Sequence, residues 1–80
     1  MNLEIITPGK SVFSGKAESI TLPGADGSFG ILNNHAPIIA TLQEGEVNVT
    51  TADNGVQNFP IAGGVVEVLN NKVVILAESK

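Results

Sequence analysis

Residues 23–37 read PGADGSFGILNNHAP, and this stretch indicates the fold. Two groups of turn-forming residues flank a short apolar core, Phe29–Leu32. Gly, Asn and Asp supply the positive φ angles that tight hairpins require. A short apolar segment between two such turns is typical of a β-strand in a protein with tight connections.

The same alternation of short strands and turns continues along the whole chain. We predict strands at Leu3–Thr7, Lys16–Leu22, Ser28–Leu32, Ile38–Leu42, Glu46–Thr51, Val56–Ile61, Gly64–Leu69 and Lys72–Ala77. The predicted turns are Pro8-Gly9, Pro23-Gly24, Asp26-Gly27, Asn33-Asn34, Glu44-Gly45, Asp53-Asn54-Gly55, Gly63-Gly64 and Asn70-Asn71. No segment has the length and 3.6-residue period of a long amphipathic helix. Short strands at this spacing favour an all-β sandwich or barrel.

Composition narrows the classes of partner. The chain has 80 residues, 42% hydrophobic and 15% charged, which is enough apolar content for one small core. It has no cysteine, no arginine and four scattered lysines, with a net charge of −4. Phosphate backbones and anionic membranes are bound by clustered cations, so we expect neither nucleic acid nor direct lipid insertion. Its apolar runs fall far short of the roughly 20 residues of a membrane helix, and we see no signal peptide.

Two strands are apolar on both faces. Residues Glu46–Thr50 alternate cleanly between polar and apolar, whereas Val73–Ala77 do not. A strand that is apolar on both faces needs cover on both sides. A strongly coiled barrel with covered ends, or helices outside this chain, would supply such cover; the alternative is an outer patch that docks a partner. The candidates for that exposed apolar patch are Val65, Leu69, Val74 and Leu76.

Enzyme and carrier functions find little support in the residues. His35 is the only histidine, so zinc would have one imidazole and only carboxylates, and a catalytic triad would need an oriented serine and acid. The plain alternative is a loop histidine that bonds nearby backbone. Residues 23–27 lack the G-K-[ST] of a phosphate loop. Lys72 follows a turn, as the modified lysine of lipoyl and biotinyl carrier sandwiches does, but its flanking residues resemble neither motif.

Several separated motifs resemble the epsilon subunit of F-type ATP synthases, which is called delta in mitochondria. That family reads P-G-x-x-G-x-x-G-I-L-P-G-H-A-P, then a strand and x-x-G-x-V. Residues 23–37 and the continuation IIATLQEGEV match this pattern in order and spacing. Phe13-Ser14-Gly15 before it and Gly63–Val68 after it also fit, so the resemblance runs from about Leu3 to Glu78. Asn33-Asn34 replaces the usual Pro-Gly, and both pairs form turns.

The resemblance implies a fold and a mechanical role. It implies a small two-sheet antiparallel β-sandwich, or flattened barrel, of about 8–10 short strands, formed by residues 1–80 as a single domain. The chain would be a central-stalk (rotor) subunit that docks the γ subunit to the c-ring and couples proton transport to ATP synthesis. It would be non-catalytic, need no cofactor, and act only indirectly on the α/β catalytic head. We expect it to be peripheral on the cytoplasmic face of a bacterial inner or thylakoid-type membrane.

The resemblance also implies contact residues. Carried over position by position, the γ-interface candidates are Thr7, His35, Ala36, Pro37 and Ala40. The c-ring candidates are Asp26, Gly27 and Ser28, although the family often has an acidic residue where this chain has Ser28. The chain stops about where the family's C-terminal helical hairpin would begin, so the activities of that hairpin are not carried over. The alternative function is a stand-alone β-sandwich carrier or adaptor with a fortuitous motif match.

Overall fold

The computed structural model describes residues 1–79, which form strands and turns without a helix. The strands are β1 (Asn2–Thr7), β2 (Lys10–Lys16), β3 (Ser19–Gly24), β4 (Gly27–Leu32), β5 (Ile38–Leu42), β6 (Gly45–Thr51), β7 (Gly55–Leu69) and β8 (Lys72–Ser79). The prediction of an all-β sandwich is therefore confirmed. Within this described part no helix exists that could cross a membrane.

The eight strands form one hydrogen-bonded sheet that folds over into two layers. Its order is β2-β1-β8-β7-β5-β3-β4, and β6 pairs with β3 and β7. The larger layer contains β2, β1, β8, the second half of β7 and β5; the smaller layer contains β4, β3, β6 and the first half of β7. All pairs are antiparallel except β1–β8, which is parallel. The sequence pattern did not predict this one parallel pair, because a periodic pattern does not specify which strands become neighbours.

Strand β7 joins the two layers. The sequence predicts two strands here, Val56–Ile61 and Gly64–Leu69, with a turn at Gly63-Gly64. The structure instead has one strand of 15 residues. Residues 55–61 pair with β6 and residues 64–68 pair with β5, so the strand passes from one layer to the other. The pairing with β8 shifts register between Ile61 and Gly63, and Gly64 has a φ of 153°. The two glycines therefore bend a continuous strand instead of ending it.

The sequence prediction also missed strand β2. Its residues, KSVFSGK, are mostly exposed and show no apolar alternation, since the strand lies at the edge of the sheet. The predicted strand Lys16–Leu22 begins at Ser19 and continues to Gly24, so Pro23-Gly24 lies within a strand. Turns at Asn34, Asn70, Asn71, Gly9, Gly27 and Gly55 do have positive φ angles, as the turn residues predict.

The core lies between the two layers. Inward-facing aliphatic side chains of both layers meet there, and Val47 and Val49 are fully buried, as the alternation in β6 predicts. The larger layer contributes Leu3, Ile5, Leu42, Val66, Val68, Val73, Ile75 and Ala77, and the smaller layer Ile20, Leu22, Ile31, Val47 and Val49. Because the core uses only one face of each strand, the opposite face of the larger layer is left to solvent.

Candidate partner interface

An apolar surface covers the outward face of the larger layer, and we call it the outer face. It consists of Ile6, Ile39, Val65, Leu69, Val74 and Leu76, with Glu4 and Glu67 among them. Strand register places these residues in rows across the layer. One row runs Ile6, Leu76, Val65, Thr41, and the next runs Glu4, Val74, Glu67, Ile39. Directly paired residues in neighbouring strands lie on the same face, so the rows form one continuous surface.

The outer face contains large aliphatic side chains that the core does not use. Leu76 is 56% exposed, Leu69 52% and Val65 40%, whereas Val74 is half-buried. In β7 and β8 these residues alternate with buried ones such as Val66 and Ile75. A contiguous apolar surface on a soluble protein is a typical partner-binding site.

Sequence reasoning missed two members of the outer face, Ile6 and Ile39. Ile39 is 74% exposed, more than any other large aliphatic residue of the described chain. A signal for it existed, because Leu42 on the predicted strand Ile38–Leu42 was an evident core residue. Period-2 alternation then places Ile38 and Ala40 inward with Leu42, and Ile39 outward.

The segment that contains His35 runs along the end of the larger layer. The backbone N–H of Asn34 donates a hydrogen bond of 2.8 Å to Oδ1 of Asn71, which ties this segment to the turn between β7 and β8. The His35 ring donates from Nδ1 to the carbonyl oxygen of Ala36 at 2.7 Å. Ala36 and Pro37 are exposed, and His35 is half-buried. The segment therefore presents a short, partly apolar surface beside Leu69 on the outer face.

A cavity connects this segment with the outer face. Its volume is about 370 Å³, and its lining is mainly apolar: Pro37, Ile38, Ile39, Glu67, Val68 and Leu69. Pro37, predicted from the resemblance, and Leu69, predicted from two-sided apolarity, thus border the same cavity. The roles of Pro37 and Leu69 in partner contact stay predictions.

Asp26, Gly27 and Ser28 lie at and beside the tip of the β3–β4 hairpin. Gly24 pairs with Gly27, so Ala25 and Asp26 form a two-residue loop, and Gly27 has a φ of 129°. The three c-ring candidates are exposed. The tip lies against β5, because the N–H of Ala25 donates to the carbonyl oxygen of Thr41 at 2.9 Å.

A groove of about 670 Å³ opens between the hairpin and β5, beside the contact of Ala25 with Thr41. Its walls are Gly24, Ala25, Asp26, Gly27 and Phe29 on one side and Ile38, Ile39, Ala40 and Thr41 on the other. We call it the edge groove. It brings Ala40, a γ-interface candidate, together with Asp26 and Gly27, two c-ring candidates.

Thr7, the remaining γ-interface candidate, lies apart from the His35 segment. Thr7 is the last residue of β1. The row of paired residues Ile6, Leu76, Val65 and Thr41 shows that the end of β1 lies level with the end of β5. His35, in contrast, precedes the start of β5. Thr7 is only 7% exposed, and its Oγ1 is buried without a hydrogen-bond partner among the described residues. The structure therefore separates Thr7 from the His35 segment along the length of the layer.

A metal-binding cluster does not emerge from the described residues. In residues 1–79 no three His, Asp or Glu side chains are grouped so that they could hold a metal ion. The His35 ring is hydrogen-bonded to backbone, as expected for a loop histidine.

Comparison with known proteins identifies the class of domain. The family described as "ATP synthase, Delta/Epsilon chain, beta-sandwich domain" matches residues 1–80. The ATP synthase epsilon chain of Chlorobium limicola is 43% identical over 76 residues, which cover 95% of this chain and 86% of the relative. That of Sulfurimonas denitrificans is 41% identical over 78 residues, covering 98% of this chain and 60% of the relative. The chain belongs to the ATP synthase delta/epsilon β-sandwich family, so the motif match is not fortuitous.

Solved structures show the same fold. A chain in the central stalk/c-ring structure of Tetrahymena thermophila mitochondrial ATP synthase superposes with a TM-score of 0.82 at 21% identity, covering 98% of this chain and 63% of that one. A chain in the OSCP/F1/c-ring structure of the Euglena gracilis mitochondrial ATP synthase gives a TM-score of 0.87 at 21% identity, covering 94% and 48%. The sandwich architecture is therefore shared at low sequence identity.

Proposed function

We propose that this chain is a central-stalk (rotor) subunit of an F-type ATP synthase that docks the γ subunit to the c-ring. Proton transport through the ring is thereby coupled to ATP synthesis in the α/β head. The observation that carries the proposal is the apolar outer face on a domain that belongs to the delta/epsilon family. A domain with this surface is suited to permanent burial against a partner.

The size of the domain fits such a role. A stable interface buries on the order of 800 Å² on each partner. The domain exposes 4584 Å² in total, so one standard interface would cover about a sixth of it. Contacts with two partners are thus possible on separate surfaces. We assign the outer face and the residues His35, Ala36, Pro37 and Ala40 to γ, and Asp26, Gly27 and Ser28 to the c-ring.

The role proposed here is non-catalytic and needs no cofactor. The one imidazole, His35, is hydrogen-bonded to the backbone. Residues 1–80 would act as a single rigid domain that transmits torque. Short turns between paired strands favour rigidity, since they leave little loop entropy. As part of the complex, the chain would lie on the cytoplasmic face of a bacterial inner or thylakoid-type membrane without inserting into lipid.

The test is a calorimetric titration of the chain against a purified γ-containing catalytic head of the same ATP synthase. We expect saturable one-to-one binding. Leu76→Glu places a charge on the outer face and should weaken binding at least about tenfold, since an unpaired buried charge costs more than the 1.4 kcal/mol of one decade. Val56→Glu is the matched control, because Val56 is an exposed aliphatic residue of the smaller layer.

Two results would overturn the proposal. One is the absence of binding by the unaltered chain at micromolar concentration. The other is an equal loss of affinity in Leu76→Glu and Val56→Glu while both variants stay folded, which would place the contact elsewhere. A covalent mass increment on Lys72 in protein isolated from cells would instead favour a carrier function.

A further inference from the structure

Strand β5 has an open edge beside the edge groove. One edge of β5 pairs with β7 over its whole length, from Ile38–Val68 to Leu42–Gly64. The other edge meets β3 at a single residue pair, Gly24–Leu42. The β3 strand then turns away into the hairpin tip, so no strand among residues 1–79 pairs with β5 on this side at Ile38–Ala40.

The backbone of Ile39 points into this opening. The carbonyl oxygen of Thr41 accepts a hydrogen bond from Ala25 across the groove edge. The N–H and C=O of one residue in a strand point to the same edge, and residues two apart point alike. The N–H and C=O of Ile39 therefore face the groove, just past the last contact with β3. An added strand would pair with β5 on the same side as β3, next to the Gly24–Leu42 pair.

Strand β5 itself has neither the lysines nor the register shift of edge strand β2, although Pro37 stands directly before it. Strand β2 carries Lys10 and Lys16 at its ends, and its pairing with β1 has a register shift at Ile5/Ile6. Lysines and bulges of this kind discourage a further strand from pairing. Residues 36–42, APIIATL, contain no charge, and the Ile39 side chain is exposed. An uncharged, apolar edge at which the N–H and C=O of Ile39 face the groove is suited to strand addition.

We propose that an extended segment of the γ subunit adds as a strand to the open edge of β5 and occupies the edge groove. The proposal rests on the proposed function and specifies how the partner is held. The segment would bond the backbone of Ile39 and place alternate apolar side chains against Phe29 and Ile38. The groove borders Ala40, so this contact is continuous with the assigned γ surface.

A second copy of this chain is the poorer occupant. Each copy has a net charge of −4, and strand pairing between two copies would bring these like charges together.

The decisive measurement is hydrogen–deuterium exchange at single amides, in the free chain and in its complex with γ. The Ile39 amide should exchange rapidly in the free chain and become protected in the complex by at least about a hundredfold. The Ala40 amide is the internal control, because alternation points it toward β7, and it should be protected in both states.

Two variants separate the backbone contact from the side chain. Ile39→Pro removes the groove-facing N–H and should weaken binding to γ at least about tenfold, while the N–H groups directed at β7 remain. Ile39→Val keeps the N–H and removes only one methylene group, so it should weaken binding to γ much less than Ile39→Pro does. If Ile39→Pro does not fold, the exchange measurement on the unaltered chain still decides.

The possible results are distinguishable. Protection of Ile39 on binding γ, with the contrast between the two variants, would support strand addition. A one-to-one complex in which Ile39 stays unprotected overturns strand addition and leaves the proposed function standing. Protection that rises with concentration of the free chain alone would assign the edge to a second copy and overturn the γ assignment. If no complex forms at all, the proposed function fails and this inference fails with it.

Discussion

Thr7 shows how one residue departs from the general pattern of the core. It occupies an inward position on β1, two residues after Ile5, but it carries a hydroxyl where its neighbours carry only carbon. Its Oγ1 is buried and has no hydrogen-bond partner among residues 1–79. Such a group costs stability, since desolvation is not repaid by a bond. Its role as a γ contact stays a prediction, whereas the cost of its unpaired hydroxyl can be measured as a change in stability.

We expect Thr7→Val to raise the free energy of unfolding by about 1 kcal/mol, because a methyl group replaces the unpaired hydroxyl in a similar shape. Thr7→Ser is the matched variant: it keeps the hydroxyl and loses the methyl group, and it should lower stability by about 1 kcal/mol. Urea unfolding of the three chains measures both changes. A loss of stability in Thr7→Val would show that the hydroxyl has a partner in solution.

Among the elements, β7 determines how the two layers meet. It pairs with β6 in the smaller layer and with β5 and β8 in the larger one. The change of layer requires a bend, and Gly64 permits it with a φ of 153°. A Cβ at this position would lie 2.3 Å from the carbonyl oxygen of Leu76. The close approach of β8 therefore depends on the missing side chain.

Gly64→Ala should lower the free energy of unfolding by about 2–4 kcal/mol, from backbone strain at positive φ and from the clash with backbone atoms of β8. Gly30→Ala on β4 is the control, since its nearest neighbour would be the Ile20 carbonyl oxygen at 3.7 Å. It should change stability by less than about 0.5 kcal/mol. Denaturant unfolding measures the free energy of unfolding of both variants. Equal values for Gly64→Ala and Gly30→Ala would contradict the argument that Gly64 is needed for the bend.

For the molecule as a whole, strands β1 and β8, from opposite ends of the sequence, are neighbours in the middle of the larger layer. Strand β8 lies between β1 and β7, and its parallel pairing with β1 joins Asn2 to Lys72. Val73 and Ile75 from β8 are fully buried in the core. The larger layer is thus incomplete until its last strand is in place, and the outer face exists only in the finished sheet.

A chain that ends at Asn71 should therefore show no cooperative thermal unfolding, because β1 and β2 lose their link to the rest of the layer. A chain that ends at Glu78 keeps nearly all of β8 and should unfold cooperatively, as the full chain does. Circular dichroism against temperature distinguishes the two. A cooperative transition in the shorter chain would mean that β8 is not needed to complete the core.

Part of the site could be predicted from the sequence because its signals are local. Turn chemistry predicts the Asp26-Gly27 turn, and motif spacing predicts the segment His35–Pro37. Period-2 alternation predicts the outward position of Leu69 and Leu76. The edge groove could not be predicted in this way. It exists because β3 turns away from β5 after a single residue pair, which is a relation between distant parts of the chain.

The sequence by itself determined that the chain is all-β, where most strands lie, and which side chains face the core. A period-2 pattern and turn residues carry that information, since each depends on neighbours along the chain. Only the tertiary structure decided that β1 and β8 run parallel, that β7 bends through both layers, and that Ile39 has a free edge while Thr7 lies far from His35. The physical reason is that alternation specifies which face of a strand is buried but not which strand lies beside it.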